Sequence, residues 1–451
     1  MQQVADAAGA AWKVDERGNI VVYAPARGAD PGASTVAVQA HLDMVCDKQP
    51  DVVHDFAKDP IRPWRDGDRV FASGTTLGAD NGIGVAAALA LLDEPDLRHG
   101  PIELLFTVEE ETGLKGALAL DPSLIRARLL INLDSEDPDE LTIGCAGAGG
   151  VVIRFSPTTE TMSDGWIGRE VAVSGLKGGH SGLQIHKRLA NAIKLLTDAL
   201  FEVQDAGVNF RLGSIKGGSA HNVIPHAAIA QLSIVPDMAK ALETVMDRVS
   251  ATLRTEWGKD EHDLALEVRQ IPAPKQVMAD QSRDLLLRLL EDLPHGVLAM
   301  SKSFPGKVET SSNLAYIQMR DGEVEIMTSS RSFIDAELRK VQSRILSLGE
   351  AIGAEVEVQE GYPGWEPNPS SWLLKLTEKI YQQVYGRLPE IRVTHGGLEC
   401  GVIVSKLPGM EAISFGPLIR GGHTSEEHVY ASTVPHTWKL LTALLEALCS
   451  Y

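Results

Sequence analysis

The sequence has few cysteines and no long apolar run. Its four cysteines, Cys46, Cys145, Cys400 and Cys449, are scattered among 451 residues without a Cys-x-x-Cys spacing. This pattern excludes a disulfide framework and a thiolate zinc site, so a bound metal would need His, Asp or Glu ligands. No apolar stretch is long enough to span a bilayer, and the N-terminus lacks the basic start and apolar run of a secretory signal. We therefore expect a cytoplasmic protein with no membrane contact.

The charge balance excludes another class of partner. Lys and Arg number 42 against 61 Asp and Glu, which gives a formal net charge of -19, and no basic stripe interrupts this excess. Nucleic-acid binding needs clustered Lys and Arg that release phosphate counterions, so we expect no nucleic-acid partner. The chain is 44% hydrophobic and 23% charged, as soluble folded proteins are, and its length favours two domains.

Apolar runs alternate with helical patterns near the start of the chain. Three short apolar segments, 36–40, 102–108 and 129–133, predict buried strands, and the Ala-rich segment 82–92 predicts a helix that is apolar nearly all round. This alternation indicates a sheet with helices packed on it. The chain beyond Pro369 has the same character, with a helix predicted at 372–385.

Two segments rich in small residues divide the chain. Residues 144–150 and the sequence Gly361-Tyr362-Pro363-Gly364 are the predicted hinges. We expect residues 1–147 and 362–451 to form one α/β domain, because the two ends of the chain have the same pattern of elements. Residues 148–361 are expected to form a second domain, of α+β class, inserted into the first.

Acidic and imidazole residues follow several of the predicted strands. In an open α/β sheet, functional groups collect at the carboxyl ends of the strands. The residues at such places, or just before the Ala-rich helix, are His41, Asp43, Asp80, Glu109, Glu110, Glu111, Asp134 and His423. Singly, each has an ordinary explanation, and Asp80 could simply cap a helix. As a set, the carboxylates would repel one another and raise their own pKa values unless a divalent metal held them together.

These ligand types indicate a kind of metal and a kind of reaction. His and carboxylate ligands without thiolate suit catalytic Zn²⁺, and Mn²⁺ or Co²⁺ would accept the same ligands. Two ions that share a bridging carboxylate stabilise the tetrahedral intermediate of amide hydrolysis, while a neighbouring carboxylate transfers the proton. Metal-assisted hydrolysis of an amide bond is therefore a reaction that this set could support.

Motifs in a fixed order make the resemblance to a known family specific. They are His41-Leu42-Asp43, Gly78-Ala79-Asp80-Asn81-Gly82, Glu110-Glu111-Thr112-Gly113, Asn132-Leu133-Asp134-Ser135, Gly179-His180-Ser181-Gly182 and Gly422-His423-Thr424. Together they resemble the ordered motifs of the M20 metallopeptidases. Two further motifs resemble the branch of that family that cleaves aminoacyl-histidine dipeptides: His395-Gly396-Gly397-Leu398-Glu399-Cys400-Gly401 and Ser414-Phe415-Gly416-Pro417. The match runs from end to end.

The resemblance implies a fold and a set of metal ligands. The fold is a mixed-sheet α/β catalytic domain with an inserted α+β domain that acts as a lid and forms a homodimer. Two zinc ions per subunit would be bound by five side chains, those of His41, Asp80, Glu111, Asp134 and His423. One ion would be held by His41 and Asp134, and the other by Glu111 and His423. Asp80 would bridge the two ions. The peptide bond between Asp80 and Asn81 resembles one that is cis in related enzymes.

The resemblance also implies catalytic roles near the metals. In the family, the base and the ligand are the two acidic residues directly before a residue and then Gly, which selects Glu110 as the general base and Glu111 as the ligand. Glu109 is left without a role. Asp43 would orient the imidazole of His41, which fixes its tautomer and basicity.

Contacts to the substrate are implied in other parts of the chain. His180 lies on a loop before a helix that we expect to begin near Arg188, and it would reach the oxyanion of the intermediate within its own subunit or across a dimer. The candidates for contact with the peptide itself are Asn222, Arg331, His395 and Glu399. Arg331 could pair with the carboxylate of the substrate through a bidentate contact.

The N-terminus departs from the family. Family members carry a further helical segment before the position of Met1, so the chain begins partway into that helix. We expect either a naturally shorter protein or a misplaced start. The catalytic motifs are untouched by this difference.

The function that the resemblance implies is metal-dependent hydrolysis of unblocked dipeptides, including Xaa-His, by a water activated between two zinc ions with Glu110 as the general base. The partner is thus a small peptide substrate. Two alternatives stay open: an M20-type aminoacylase or carboxypeptidase that acts on N-acyl amino acids, and a non-catalytic relative that binds metal or peptide. The motif Leu398-Glu399-Cys400-Gly401 favours dipeptides over N-acyl substrates. The presence of the base and all five ligands favours an enzyme over a binding protein.

Overall fold

The structure is a computed structural model that describes residues 1–451. The chain divides into two units. One consists of Met1–Ala146 together with Tyr362–Tyr451, and we call it the first unit. The other consists of Gly147–Gly361, and we call it the inserted unit.

Short strands and helices alternate along the whole chain. The strands are β1 (Ala11–Val14), β2 (Ile20–Ala24), β3 (Val36–His41), β4 (Pro63–Asp66), β5 (Arg69–Ala72), β6 (Ile102–Thr107), β7 (Leu129–Asn132), β8 (Glu140–Cys145), β9 (Gly147–Phe155), β10 (Thr159–Thr161), β11 (Ile167–Ser174), β12 (Gly179–His180), β13 (Phe210–Gly217), β14 (Val223–Ile224), β15 (Ala228–Ile234), β16 (Ala265–Ile271), β17 (Gln276–Met278), β18 (Gly296–Met300), β19 (Val308–Arg320), β20 (Glu323–Ser332), β21 (Glu355–Val358), β22 (Glu390–Thr394), β23 (Glu411–Ser414), β24 (Ile419–Arg420) and β25 (His428–Tyr430). The helices are α1 (Gln2–Ala7), α2 (Ala79–Asp93), α3 (Lys115–Ala119), α4 (Ala192–Asp205), α5 (Ala239–Trp257), α6 (Asp280–Asp292), α7 (Asp335–Ala351), α8 (Trp372–Tyr385), α9 (Glu399–Lys406) and α10 (Thr433–Ala447).

An eight-stranded mixed sheet forms the centre of the first unit. Its strand order is β1-β2-β6-β3-β7-β23-β8-β22. Strands β6, β3, β7 and β23 are parallel neighbours, so their carboxyl ends meet at one edge. Every residue of β3 is buried, which explains why an apolar run rather than an alternating pattern marks this strand in the sequence. Residues that follow these strands are brought together at the shared edge.

A smaller sheet of the first unit, of order β24-β25-β5-β4, carries the late histidine. His423 lies in the connection between β24 and β25. Ile419 and Val429, one from each of these strands, are buried in a cluster with Ala79 at the start of α2. This apolar contact holds the histidine connection close to the beginning of that helix.

Helix α2 is Ala-rich, and its buried residues include Gly84, Ala88 and Leu91. Gly84 is packed against its surroundings without room for a side chain. A Cβ at this position would lie 2.0 Å from Oδ1 of Asn81 and 2.9 Å from the carbonyl oxygen of Leu133. The helix can therefore approach strand β7 this closely only with Gly at this position.

The inserted unit is built on an antiparallel sheet. Its main path is β16-β11-β15-β13-β19-β20-β9-β21, and β18 pairs with β19 beside that path. Helices α4, α5, α6 and α7 supply apolar side chains to one core with the sheet, among them Leu196, Leu242, Leu286 and Ile345. These four side chains are fully buried.

Helix α4 begins at Ala192 and not near Arg188, where the sequence led us to expect it. Its N-cap is Asn191, whose side chain accepts hydrogen bonds from the N–H groups of Ile193 at 2.9 Å and Lys194 at 3.4 Å. Asparagine is a favoured N-cap because its short side chain satisfies orphan N–H groups of the first turn. The cap, more than the hydrophobic pattern, marks where this helix starts.

The predicted class is confirmed: the two ends of the chain form a mixed-sheet α/β unit, into which an α+β unit is inserted. Helix α8 covers the predicted segment 372–385. None of the four cysteines takes part in a disulfide bond. None of the helices combines the length and the apolar character that a membrane crossing requires.

Candidate metal centre

Two imidazoles and four carboxylates meet at the carboxyl edge of the main sheet. His41 ends β3, Asp134 lies just past β7, and Glu110 and Glu111 follow β6. Asp80 comes from the first turn of α2, and His423 comes from the β24–β25 connection. Potential ligand atoms lie within 4.8 Å of one another in three groups: His41, Asp80 and Asp134; Asp80, Glu111 and His423; and His41, Glu110 and Glu111.

Asp80 lies between the two imidazoles. Its Oδ1 is 3.0 Å from Nε2 of His41, and its Oδ2 is 3.3 Å from Nε2 of His423. Nε2 of His41 is also 3.2 Å from Asp134, and Nε2 of His423 is 3.1 Å from Glu111. His423 has a φ of +64°, a left-handed conformation that is uncommon for residues other than Gly and concentrates at functional sites. The carboxylate of Asp80 thus belongs to two groups of potential ligand atoms, one with His41 and Asp134 and one with Glu111 and His423.

Asp43 holds both His41 and the acidic turn. The backbone carbonyl of Asp43 lies 3.0 Å from Nδ1 of His41, which leaves Nε2 as the nitrogen that faces the carboxylates. The carboxylate of Asp43 is 3.6 Å from the same Nδ1. It accepts the backbone N–H groups of Glu110 at 3.0 Å and Glu111 at 3.1 Å. Asp43 therefore positions the predicted base and its neighbouring ligand as well as the imidazole.

Asn81 joins Asp80 to Asp134. The Asp80–Asn81 peptide bond is cis, as the resemblance predicts. The side-chain amide of Asn81 donates to Oδ1 of Asp134 and, at 3.0 Å, to the carbonyl of Leu133. One amide thus ties the start of α2 to the end of β7.

Glu427 is a residue that sequence reasoning missed. Its carboxylate accepts four backbone N–H groups in succession, those of Leu77 at 2.7 Å, Gly78 at 2.9 Å, Ala79 at 2.8 Å and Asp80 at 3.2 Å. It is 2% exposed. A carboxylate at a helix start satisfies N–H groups that have no partner within the helix. Glu427 fixes the segment that carries Asp80 to the hairpin that carries His423.

The charges of the centre shift one another's pKa values. Burial and the charge of Asp134 raise the pKa of Glu110 to about 9. Burial raises the pKa of Asp134 to about 6. Although burial opposes it, hydrogen bonding to the two imidazoles holds the pKa of Asp80 well below its usual range. Hydrogen bonds that His423 donates to the carboxylates of Asp80 and Glu111 raise its pKa to about 11. Carboxylates crowded in this way favour a bound cation.

The residues fit a divalent metal. Oε1 of Glu111 is buried and has no hydrogen-bond partner. A buried carboxylate oxygen without a partner is costly, and a cation would satisfy it. The available ligand atoms are imidazole nitrogens and carboxylate oxygens without thiolate, which suits Zn²⁺, Mn²⁺ or Co²⁺.

One family match covers most of the first unit and all of the inserted unit. The model of peptidase family M20/M25/M40 matches residues 37–447. The chain belongs to this family. It is therefore a peptide-bond hydrolase, and the M20 membership predicted from the motifs is confirmed.

This M20 peptidase is similar to two dipeptidases along nearly its whole length. It is 40% identical over 434 residues to the cytosol non-specific dipeptidase of Escherichia coli K12. This alignment covers 96% of this chain and 89% of that protein. The crystal structure of aminoacylhistidine dipeptidase from Vibrio alginolyticus matches with a TM-score of 0.91 and 37% identity, over 99% of this chain and 91% of that one. An aminopeptidase from Bacillus cereus, at 18% identity and a TM-score of 0.56 over 99% and 91% of the two chains, shares the fold alone.

Glu399, expected to contact substrate, lies inside the first unit of the peptidase. It is the first residue of α9 and is 0% exposed. Its Oε2 accepts hydrogen bonds from Oγ1 of Thr107 and from Nε2 of Gln39, both at 2.6 Å. Burial raises the pKa of Glu399 to about 7. His395, the other candidate from the same motif, lies half-buried in the connection between β22 and α9.

The remaining candidates lie in the inserted unit. His180 pairs with Val223 in the β12–β14 ladder, which places it beside the segment of Asn222. Nδ1 of His180 accepts two backbone N–H groups at 3.1 and 2.9 Å, so in the neutral ring the proton is on Nε2. Arg331 lies in β20 and is 7% exposed. Burial and the charge of Arg331 lower the pKa of His221, which places the guanidinium near the Asn222 segment.

Proposed function

We propose that this M20 peptidase is a cytoplasmic dipeptidase that hydrolyses unblocked dipeptides, Xaa-His among them, with two divalent ions, preferably zinc. Asp80 is the main support, because it belongs to two of the three ligand groups and faces an imidazole with each oxygen, as a bridging carboxylate must. The substrate class is supported by the names of two similar proteins, a cytosol non-specific dipeptidase and an aminoacylhistidine dipeptidase.

The five ligand side chains would hold the two ions, with Asp80 common to both. Bound ions would polarise the scissile carbonyl and lower the pKa of the attacking water. The chain supplies the geometry: Asp43 fixes the backbone of Glu110 and Glu111, and Glu427 fixes the backbone of Asp80. The donors and acceptors around the substrate are thus held in place before it binds.

Glu110 would act as the general base. Its backbone N–H is held by Asp43, whereas its carboxyl group makes no hydrogen bond in the structure, so it can exchange a proton with a reacting group. It would accept the proton of the attacking water and deliver it to the leaving amine. Burial and the charge of Asp134 give this carboxyl group a high proton affinity, and positive charge nearby would bring its pKa down toward the working range.

His180 would stabilise the oxyanion of the intermediate. Because its Nδ1 accepts two N–H groups, the N–H that remains is on Nε2 and can donate. Asn222 and Arg331 would bind the peptide, and Arg331 suits the terminal carboxylate because guanidinium and carboxylate pair in a bidentate manner. These roles extend to this chain what its family resemblance implies.

We also propose a homodimer formed through the inserted unit. Strand β18 pairs only with β19, and its Val297, Leu298 and Met300 are 39%, 40% and 48% exposed. An edge strand with exposed apolar side chains is a usual place for association with another chain. Sedimentation of wild type should give twice the chain mass, and Leu298→Lys should shift the protein toward the monomer; a monomeric wild type would rule out the dimer.

Hydrolysis of a substrate panel tests the proposed function. Metal-free protein reconstituted with zinc is assayed on Xaa-His dipeptides, other free dipeptides and N-acetyl amino acids. Free dipeptides should be cleaved, and Glu110→Gln should lower kcat by about 100-fold or more because general-base catalysis typically contributes that much. Glu109→Gln is the matched control, since Glu109 is partly exposed and pairs with Arg17 outside the ligand groups.

Each outcome of the panel has a clear meaning. Cleavage confined to N-acetyl amino acids would replace the dipeptidase with an aminoacylase or carboxypeptidase. Zinc binding without cleavage of any substrate would indicate a binding protein. Equal loss of activity in the two Glu→Gln variants would remove Glu110 from the role of base.

A further inference from the structure

We propose that Glu399 is a positioning residue of the metal centre, which acts on the ligand Asp134 through a chain of buried side-chain hydrogen bonds. The inference rests on the proposed function, because it concerns how the same centre is built. Glu399 itself touches none of the five ligand side chains through a hydrogen bond; Gln39 and Asn132 lie between.

The chain of hydrogen bonds starts at a side chain that can only accept. In its ionised form, Glu399 offers acceptors alone, and its Oε2 takes hydrogen bonds from Gln39 and Thr107. The amide of Gln39 is consequently oriented with nitrogen toward Glu399 and oxygen away from it. All three side chains are at most 1% exposed, so water does not compete for these contacts.

The orientation of Gln39 is passed on to a ligand. Oε1 of Gln39 accepts from Nδ2 of Asn132 at 2.5 Å. Oδ1 of Asn132 in turn accepts from the backbone N–H of Asp134 at 3.2 Å. Each link donates toward Glu399, and so the carboxylate determines the direction of every bond up to the metal ligand.

The same residues tie neighbouring strands together just before the ligands. Gln39 lies two residues before His41 on β3 and stands opposite Asn132 of β7 in the parallel register. Thr107 ends β6 and stands opposite His41. Contacts of this kind orient metal ligands from behind, and their loss typically lowers metal affinity about 10- to 100-fold.

Two substitutions at this position separate the acceptor from the side chain. Glu399→Leu removes this acceptor, so the hydroxyl of Thr107 loses the carboxylate it donates to and the amide of Gln39 keeps only Oγ1 of Thr107, at 3.1 Å. Glu399→Gln can keep a carbonyl oxygen facing both donors. The dissociation constant for Co²⁺ and Zn²⁺ is measured by chelator competition on folded, metal-free protein, and the visible absorption of the Co²⁺ form reports the ligand geometry.

We expect Glu399→Leu to raise the metal dissociation constant about 10- to 100-fold and to alter the Co²⁺ spectrum, and Glu399→Gln to raise it less than about threefold. Asn132→Leu, which breaks the middle of the chain, should resemble Glu399→Leu, and it serves as the test if that variant fails to fold.

Glu103 provides the matched control. It is a buried carboxylate at the opposite end of β6, 3% exposed, and it accepts backbone N–H groups of Arg126 and Ala127. Glu103→Leu should lower the melting temperature without changing metal affinity. Metal affinities of Glu399→Leu and Asn132→Leu within twofold of wild type, or an equal change in Glu103→Leu, would overturn the positioning role. A wild type that binds no divalent ion would instead refute the proposed function.

Discussion

Removal of Glu427 should loosen the first unit at the point where the segments of two proposed metal ligands, Asp80 and His423, are joined. Its buried carboxylate accepts the N–H groups of residues 77–80 at distances of 2.7 to 3.2 Å. Glu427→Ala would leave these donors without an acceptor at the start of α2. Glu427→Gln would retain one carbonyl oxygen but present an amide N–H₂ to backbone N–H groups.

The expected loss is large for a single side chain. A hydrogen bond to a charged group contributes about 1.5–3 kcal/mol, and the four bonds share one carboxylate, so their contributions do not add. We expect Glu427→Ala to lower the free energy of unfolding by about 3–5 kcal/mol, and Glu427→Gln by roughly 2–3 kcal/mol. For a domain of this size, a loss of about 4 kcal/mol lowers Tm by roughly 10 °C.

Thermal unfolding of the metal-free protein measures this effect without the contribution of bound ions. Glu426→Gln is the control, because Glu426 is adjacent but exposed and its carboxylate accepts one long hydrogen bond, from Nε2 of Gln49 at 3.4 Å. The control should melt within about 1 °C of wild type, as exposed substitutions usually do. A Tm of Glu427→Ala within about 2 °C of wild type would refute the structural role of these four contacts.

Three further substitutions test other parts of the structure. Gly84→Ala should displace Asn81, weaken metal binding and lower the free energy of unfolding by about 1–3 kcal/mol. Gly82→Ala is its control and should do neither, because no heavy atom lies within 4 Å of the added Cβ. Equal metal affinities of the two variants would contradict the close packing at Gly84. Lys194→Met should lower the free energy of unfolding by about 2–3 kcal/mol, because the ammonium of Lys194 donates to three carbonyls at the end of α6 at 2.6 to 2.7 Å. An unchanged Tm would show that these three hydrogen bonds contribute nothing to stability. Burial lowers the pKa of His295 to about 3, so the unfolded chain takes up a proton first and the free energy of unfolding falls as pH drops from about 6.5 toward 3. Between pH 7 and pH 5, His295→Gln should therefore lose about 1–2 kcal/mol less of this free energy than wild type does. Equal losses in urea unfolding of the two proteins would exclude this contribution.

The sequence predicted the parts of the centre that follow from strand order. His41 and Asp134 come directly after apolar runs, and parallel strands bring their carboxyl ends to one edge, so periodicity alone places these two ligands near each other. The position of His423 depends instead on a hairpin and a left-handed backbone conformation, for which only the family motif gave a signal.

The residues that support the ligands were harder to predict. Nothing in the pair Glu426-Glu427 shows which carboxylate is buried, since the four N–H groups it binds lie about 350 residues earlier in the chain. Nothing in the Gly-rich motif around Glu399 shows that this carboxylate starts a helix and is buried. A usable signal did exist in Gln39 and Asn132, two amides inside otherwise apolar strands, because a buried amide requires partners.

Zinc titration of metal-free protein, followed by the rate of hydrolysis of an unblocked dipeptide, tests the central claim most directly. Activity should rise with added zinc, level off at two equivalents per chain, and fall by about 100-fold or more in Glu110→Gln at the same zinc content. Hydrolysis that is independent of zinc, or a plateau reached without any cleavage of free dipeptides, would contradict the claim that this centre is that of a two-metal dipeptidase.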